Sequence, residues 1–261
     1  MRRPASPYAS SFSFGFSPIS SAMKLLIGAN VVVFIAQLVL PVITEAFGLH
    51  PAWVVPSVFS LRPEHSLWIW QIATYMFLHG GLFHILFNML ALWMFGAELE
   101  RVWGTRYFLK FYFVTGIGAG ALTVLFSLLP FDFARQLQLS NVIGASGAIY
   151  GLLLAFGMLF PEQEILVMFL FPIKAKYMVM IFGGIAFVFS FQRGSTVSNL
   201  AHLGGMIFGY VYIRTQFGAR RKATVRLDLR QRWKEYKLQH ARKKFKVYLK
   251  KHGSDDGPWV N

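Results

Sequence analysis

The sequence predicts an all-α polytopic membrane protein. Of its 261 residues, 55% are hydrophobic and only 14% are charged, whereas soluble domains carry about 25% charged residues. The mean hydropathy is +0.49, and the apolar residues form blocks long enough to cross a bilayer, which takes about 20 residues of helix. Between residues 23 and 217 the chain lacks the polar surface that a soluble fold would need.

Six apolar segments are predicted to span the membrane. Residues 1–22 precede them, and because no convincing cleavage site follows, this segment is expected to stay as a cytoplasmic N-terminal segment rather than act as a signal peptide. Between the first two spans, the prolines and tryptophans of residues 45–70 predict a loop at the membrane interface. The predicted spans are 23–43, 72–96, 106–129, 145–160, 176–191 and 199–216.

Basic residues predict the orientation, because cytoplasmic loops carry an excess of lysine and arginine. With the N terminus inside, the inner segments hold Arg2, Arg3, Lys24, Arg101, Arg106, Lys110, Lys174 and Lys176. The outer segments hold only Arg62, Arg135 and Arg193. We therefore expect both termini in the cytoplasm, with a bacterial plasma membrane as the location.

Residues 218–261 form a basic C-terminal tail outside the predicted core of residues 23–217. The tail holds 14 of the 26 lysines and arginines but only four of the 11 acidic residues, so it carries most of the net charge of +15. The preferred interpretation is a cytoplasmic helix that binds anionic lipid headgroups. A small module that binds a partner or a nucleic acid stays open as the alternative, although no nucleic acid is expected.

Polar side chains inside the second predicted span are the first candidate for a site, since such residues are costly in lipid and usually functional. His84 and Asn88 are four residues apart and share one helix face, where they offer N–H donors toward one point. His79 lies off that face. Taken alone, the pair is better explained by hydrogen bonds between helices than by a catalytic role.

The stretch "GASGAIYG", residues 144–151, opens the fourth predicted span. Ser146 lies between Gly144 and Gly147, and Tyr150 follows on the same helix face. Glycines at this spacing also allow close helix packing. The motif alone therefore leaves two interpretations open, a packing serine or a nucleophile.

The last predicted span contains His202, with Gly205 and Gly209 following on the same face. The glycines let a neighbouring helix approach, so the histidine is expected at a helix contact rather than in lipid. Taken jointly, the three clusters supply the parts of a serine hydrolase: a hydroxyl, a base and oxyanion donors. No acidic residue lies within a span to orient the base, so the combination predicts a Ser–His dyad. The absence of cysteine excludes thiol catalysis and disulfides.

These motifs resemble the rhomboid family of intramembrane serine proteases. The matching pieces are "FLHGGLFHILFNMLALWMFG", "ELERVWGTRYFLKFY", "GASGAIYG" and "AHLGGMIFG", and they occur in the family's order across roughly residues 23–217. The resemblance implies a rhomboid-like bundle of six transmembrane helices around a water-filled cavity that opens to the outer side. It also implies cleavage of single-span membrane proteins near the outer interface, with a small residue before the cut and no metal or cofactor.

The resemblance assigns roles to the candidate residues. Ser146 would be the nucleophile and His202 the general base and acid. The oxyanion hole would consist of His84, Asn88 and the backbone N–H of Ser146. Supporting positions would be Tyr150, which packs on the histidine, and the glycines Gly144, Gly147, Gly205 and Gly209. At the cytoplasmic end of the second and third spans, a structural role is implied for Glu100, Arg101 and Gly104.

One feature departs from the family pattern. Many bacterial members carry adjacent Trp and Arg residues in the first loop, whereas here Trp53, Arg62, Trp68 and Trp70 are separate. Two other functions are alternatives to proteolysis: a non-catalytic substrate-binding protein on the same scaffold, and a small transporter or channel. The first would lack the serine or the histidine, and the second would show paired carboxylates or repeats.

Overall fold

The computed structural model describes residues 18–55, 67–130, 132–167, 171–190 and 198–216. The chain divides into two compact units, Met1–Tyr212 and Ile213–Asn261, and the site described below belongs to the first. The predicted basic tail, 218–261, lies outside the described residues, as do residues 1–17 of the predicted N-terminal segment. The same holds for Arg62 and Arg193 of the predicted outer loops.

The described part of the chain is mostly helical, as predicted. A 3-10 turn over Tyr75–Phe77 interrupts the helices. Two strands, β1 (Glu164–Val167) and β2 (Phe171–Lys174), form an antiparallel hairpin that the sequence did not predict. The helices are α1 (Ser21–Val39), α2 (Val42–Phe47), α3 (Pro51–Val54), α4 (Gln71–Thr74), α5 (Leu82–Trp103), α6 (Thr105–Ser127), α7 (Asp132–Gln138), α8 (Ser146–Leu159), α9 (Ala175–Phe189) and α10 (198–216).

Three of these helices, α1, α5 and α6, are long and apolar enough to cross a membrane, judged by length and composition over the described residues. Helices α8 and α9 are apolar but shorter. The count of six spans therefore stays a prediction.

The predicted start of the second span at residue 72 is wrong. The chain forms α4 and the 3-10 turn there, leaves helical structure over residues 78–81 and enters α5 at Leu82. Gly80 and Gly81 explain the interruption, because glycine loses more backbone entropy in a helix than other residues do. The helix then continues to Trp103 and ends at Gly104, whose φ of +79° is a left-handed conformation that favours glycine.

Polar side chains join α5 to its neighbours near its C-terminal end. The Glu100 carboxylate accepts hydrogen bonds from Ser20 at 2.5 Å and Thr105 at 2.6 Å. Arg101 pairs with Glu98, one turn earlier in the same helix, rather than with Glu100. These contacts connect the start of α1, the end of α5 and the start of α6, so this end of the three helices is fixed together.

Helix α8 lies at the centre of the packing. It contacts α5, α6 and α9, and α10 also packs against it: a Cβ at Gly205 would overlap the carbonyl group of Gly147. Small side chains make these approaches feasible, as they do between helices in membranes generally. The buried residues of α8 are Gly147, Ala148, Ile149, Gly151, Leu152, Leu153, Ala155, Phe156 and Gly157.

Candidate active site

Ser146 is the first residue of α8, and the chain reaches it through an extended segment. Val142 pairs with Leu49 in an isolated antiparallel bridge, and the Gly144 N–H donates to the Tyr75 carbonyl oxygen at 2.9 Å. Gly144 has a φ of +123°, which L side chains rarely adopt. These features turn the chain sharply into the helix and leave the Ser146 side chain at its N-terminal end.

His202 of α10 lies beside this serine. Its Nε2 atom is 2.8 Å from the Ser146 Oγ, a hydrogen-bond distance. The glycines that follow His202 explain the approach of the two helices. Gly205 leaves no Cβ against Gly147, and a Cβ at Gly209 would lie 3.3 Å from the Cα of Gly151. The structure therefore brings together the serine and the histidine that the sequence singled out.

Tyr150 holds the imidazole on its face. The two rings stack with centroids 4.1 Å apart and planes 4° from parallel. The Nδ1 atom of His202 is buried and has no hydrogen-bond partner among the described residues. The orientation of the ring therefore comes from the Tyr150 stack and from Ser146, where a triad would use a carboxylate.

His84, near the start of α5, lines the same cavity as Ser146. The Gly80 N–H donates to its Nδ1 atom at 3.2 Å, so the neutral ring carries its proton on Nε2 and can donate from there. A Cβ at Gly144 would lie 2.9 Å from that Nε2 atom. The absence of a side chain at Gly144 thus lets the donor reach the space in front of Ser146.

Asn88 lies one turn further along α5 and is buried. Its Nδ2 atom donates to the His84 carbonyl oxygen at 2.8 Å, which uses one of the two amide hydrogens and leaves a second donor. Both His84 and Asn88 line the same cavity as Ser146. The predicted donor pair and the predicted nucleophile therefore share one space.

The cavity has a volume of about 690 Å³ and lies between α5, α8, β1 and α9. Ser146, His84, Asn88 and Tyr150 supply its polar groups. All its other lining residues are apolar, which suits an apolar polypeptide segment more than a polar metabolite. They are Phe83, Phe87, Leu90, Ala91, Met94, Phe95, Ile149, Leu153, Ile165, Leu166, Met178 and Phe182.

His79 packs against His84 and is not among the residues that line the cavity. It is 2% exposed, and its ring meets the His84 ring edge-on at 5.1 Å between centroids. Neither of its ring nitrogens has a hydrogen-bond partner within the part of the chain that is described. The histidine is therefore placed to support His84 by packing.

Sequence reasoning missed two polar residues of α1. Gln37 and Asn30 are both buried, and Gln37 hydrogen-bonds the backbone of His79 from 42 positions away in the chain. The available signal was the same one that identified the other clusters, a polar side chain within a predicted span. A lone glutamine carries no motif, so only the fold connects it to the site.

Known proteins are similar to this chain, and a family model covers the part that contains Ser146, His202, His84 and Asn88. A family model for the Rhomboid domain matches residues 67–218. The chain is 36% identical over 141 residues to the rhomboid protease GluP of Bacillus subtilis, a match that covers 54% of this chain and 25% of GluP. It is 36% identical over 138 residues to Rhomboid protein 1, mitochondrial, of Saccharomyces cerevisiae, covering 52% of this chain and 38% of that protein.

A plant relative extends the range of organisms. RHOMBOID-like protein 1 of Arabidopsis thaliana is 31% identical over 160 residues, which cover 59% of this chain and 37% of the relative. The matched region thus spans between a quarter and two fifths of these three relatives. Because the family model covers more than half of the chain and α1, α5 and α6 are long and apolar enough to cross a bilayer, the chain belongs to the rhomboid family of integral membrane proteins.

Proposed function

We propose that this chain is an intramembrane serine endopeptidase that cuts transmembrane segments of single-span membrane proteins near the outer interface. The observation that carries the proposal is the 2.8 Å contact between Ser146 Oγ and His202 Nε2 beside an apolar cavity. Family membership supports it, and GluP, one of the relatives, is named a rhomboid protease.

The proposed reaction begins when His202 Nε2 takes the proton of Ser146 as its oxygen attacks the scissile carbonyl carbon. The protonated His202 then gives this proton to the leaving amine, and an acyl-enzyme remains on Ser146. A water molecule, deprotonated by His202, then attacks the ester, and His202 returns this proton to the Ser146 oxygen as the new carboxyl end leaves. Since His202 must be neutral to accept a proton, activity is expected to fall at low pH.

The negative charge on the substrate carbonyl oxygen is proposed to be held by three donors: the His84 Nε2–H, the free amide hydrogen of Asn88 and the Ser146 backbone N–H. The tautomer imposed by Gly80 supports the first, and the cavity shared with Ser146 supports the second. The third belongs to the first turn of α8, where backbone N–H groups lack helical partners. Loss of one such donor is expected to cost on the order of 10²–10³ in rate.

The substrate is proposed to enter the apolar cavity as an extended segment. A membrane-spanning helix hides its backbone groups in internal hydrogen bonds, so it must unwind before Ser146 can reach a carbonyl. Helix-breaking residues near the cut are therefore expected to help cleavage. The preference for a small residue before the cut rests on the family resemblance.

The proposed architecture is a six-span bundle formed by α1, α5, α6, α8, α9 and α10. The distribution of basic residues supports an orientation with both termini in the cytoplasm. A bacterial plasma membrane remains the predicted location, although one relative is named as mitochondrial and another comes from a plant. Binding of anionic headgroups by residues 218–261 likewise stays a prediction.

The test is a cleavage assay in liposomes with a model single-span substrate. Ser146→Ala and His202→Ala are each expected to abolish cleavage, whereas Ser140→Ala is expected to cleave normally, because the Ser140 hydroxyl only donates to the Leu137 carbonyl oxygen. Retained cleavage by either of the first two variants would overturn the dyad. A fluorophosphonate probe should label the wild-type protein and not Ser146→Ala, an outcome that neither a binding protein nor a transporter predicts.

A further inference from the structure

Gln37 of α1 is a buried polar side chain that the reaction above does not use. It is 8% exposed, and all its polar atoms are engaged. Its Oε1 atom accepts from the His79 N–H at 2.9 Å. Its Nε2 atom donates to the Thr44 hydroxyl at 2.8 Å and to the His79 carbonyl oxygen at 3.4 Å. A single amide thus holds both backbone groups of His79.

The backbone groups in question belong to the segment that interrupts the helices before α5. The His79 carbonyl and the Gly80 N–H are the two ends of one peptide bond. That bond is planar and trans, so its carbonyl and its N–H point in opposite directions. Fixing the direction of the carbonyl therefore fixes the direction of the N–H.

The opposite end of this peptide group acts on the site. The Gly80 N–H donates to His84 Nδ1 at 3.2 Å, and this bond selects the tautomer in which Nε2 carries the proton. Gln37 consequently reaches His84 through one rigid group: the amide holds the carbonyl end, and the N–H end holds the imidazole.

Packing supports the same arrangement. The His79 ring meets the His84 ring at 5.1 Å with an angle of 69° between the planes, and His79 is 2% exposed. Since Gln37 fixes the His79 backbone on both sides, it also fixes where this ring stands. The back of the His84 ring and its Nδ1 atom are therefore both set by groups that Gln37 holds.

We propose that Gln37 is a positioning residue that keeps the His84 Nε2–H aimed at the oxyanion by clamping the His79–Gly80 peptide group. The inference rests on the proposed function, because it assigns the oxyanion role to His84. Gln37 touches no substrate and takes no proton. Its effect is on the protonation site and the direction of the imidazole.

The test compares two buried amides of α1. Gln37→Met keeps the length and approximate volume of the side chain and removes only its hydrogen bonds. Asn30→Leu is the matched control: Asn30 is 0% exposed, and its amide donates at 2.8 Å to Leu26 of its own helix. Both variants are measured as the full chain in liposomes, with gel filtration and thermal unfolding in detergent to confirm folding.

The kinetic expectation is a split between the two parameters. A donor that is present but misdirected should cost part of the effect of a deleted donor, so Gln37→Met should lower kcat by about tenfold and leave KM within about twofold. Asn30→Leu should leave kcat and KM unchanged, even if it lowers the thermal midpoint as much as Gln37→Met does. Equal loss of kcat in the two variants would reduce Gln37 to a structural role and overturn the proposal.

A second measurement needs no substrate. In protein labelled with ¹⁵N-histidine, the His84 signals, assigned with a His84→Gln variant, should show one protonated and one unprotonated nitrogen with the proton on Nε2. Gln37→Met should convert this pattern into an exchange-averaged mixture of tautomers, and Asn30→Leu should not. An unchanged His84 spectrum in Gln37→Met would overturn the proposal whatever the kinetics.

The failure of this inference and that of the proposed function are separate outcomes. If Gln37→Met keeps the wild-type kcat while Ser146→Ala abolishes cleavage, the clamp is refuted and the protease stands. If Ser146→Ala still cleaves, the serine mechanism fails. The spectrum then decides only whether Gln37 orients His84.

Discussion

Helices α8 and α9 are neighbours in the chain and similar in length, with 14 and 15 residues, yet they differ in how they are packed. Nine residues of α8 are buried. In α9 only Ala175, Met178 and Ala186 are buried, and side chains such as Met180 and Val188 are more than 60% exposed. Both candidate groups that α8 supplies, Ser146 and Tyr150, lie on the packed helix.

The difference shows that hydropathy alone does not predict how closely a helix of a membrane protein packs against its neighbours. Lipid is as apolar as leucine, so apolar character gives no drive for two helices to associate there, and close packing depends on small residues. Helix α8 has Gly147, Gly151 and Gly157 against backbone or branched side chains of its neighbours. In α9, by contrast, Gly183 meets only the flexible end of Met206, and Gly184 meets no neighbouring atom within 4 Å among the described residues. A site that needs fixed geometry is therefore found where the glycines are in contact.

The largest expected effect comes from adding a methyl group at the packed contact. Gly205→Ala on α10 would push a Cβ into the backbone of Gly147 in α8, and backbone cannot yield as a flexible side chain can. We expect the free energy of unfolding to fall by about 3 kcal/mol. Thermal or denaturant unfolding in detergent micelles measures it.

The matched control for that contact is Gly184→Ala, because within the described part of the chain no atom outside the backbone of its own helix lies within 4 Å of the added Cβ. Alanine favours helix over glycine by about 1 kcal/mol, so α9 should be unchanged or slightly more stable. Equal destabilisation by the two substitutions would contradict the contrast between the helices.

An intermediate effect is expected at the ring that stacks on His202. Tyr150→Leu removes the aromatic face and should lower kcat by about tenfold, equivalent to about 1.4 kcal/mol. Tyr150→Phe keeps the stack and should retain most of the activity. Cleavage assays at saturating substrate measure both.

The comparison on α9 is Phe182→Leu, since this ring meets Tyr150 edge-on at 6.5 Å and lines the cavity, so its loss is expected to act mainly on KM. It should change kcat far less than Tyr150→Leu does. If Phe182→Leu lowered kcat more than Tyr150→Leu, the support of His202 would come from α9 rather than α8, which would contradict the contrast between the two helices.

The smallest effect is expected in the connection between α8 and α9. Glu162 accepts hydrogen bonds from Lys174 at 2.9 Å and Lys176 at 2.5 Å. These bonds, with that of Lys174 the stronger, lower the pKa of Glu162 from 4.5 to about 2. Because the folded pKa is depressed, the pairing stabilises the protein above about pH 4.5 and this contribution is lost as the pH falls to about 2.

This pH window is checked by the thermal midpoints of the wild type and Glu162→Gln. The wild type should have a slightly higher midpoint at neutral pH, and the difference should disappear between pH 4.5 and pH 2. A difference that persists at pH 2, or that grows on acidification, would contradict the assignment. Glu162 is exposed to solvent and the two lysines are partly exposed, so the shift should also shrink in high salt.

Much of the helical framework was predictable from apolar blocks. The predicted spans 145–160 and 176–191 nearly coincide with α8 and α9, because a proline or a polar segment bounds each block. The hairpin between them was missed, since a short apolar run such as β1 reads equally as strand or buried helix. The start of α5 was missed because hydropathy continues across Gly80 and Gly81 without a break.

The candidate site was predictable only as a set of residue types on separate helices. Helical periodicity predicted that Ser146 and Tyr150 share one helix face and that His84 and Asn88 share another. The glycines that follow His202 predicted a helix contact. Nothing local could connect Gln37 to His79, because that contact joins positions 42 residues apart through backbone groups. By contrast, Arg101 and Glu98 are three residues apart on one helix, so their pairing is local, whereas the contact of Glu100 with Ser20 joins positions 80 residues apart.

Helix α8 begins without a side-chain cap, and Ala145 occupies the capping position. Serine, threonine or aspartate there would ordinarily add about 0.5–2 kcal/mol of stability, so the helix starts less stable than it could be. The uncapped N–H groups form the positive end of the helix dipole and attract negative charge. In the proposed reaction the substrate oxygen meets this positive end, because it accepts from the Ser146 N–H at the first position of the helix. A capping side chain at residue 145 would accept from the next N–H groups, those of Gly147 or Ala148, and would weaken the positive field that the substrate oxygen is proposed to meet.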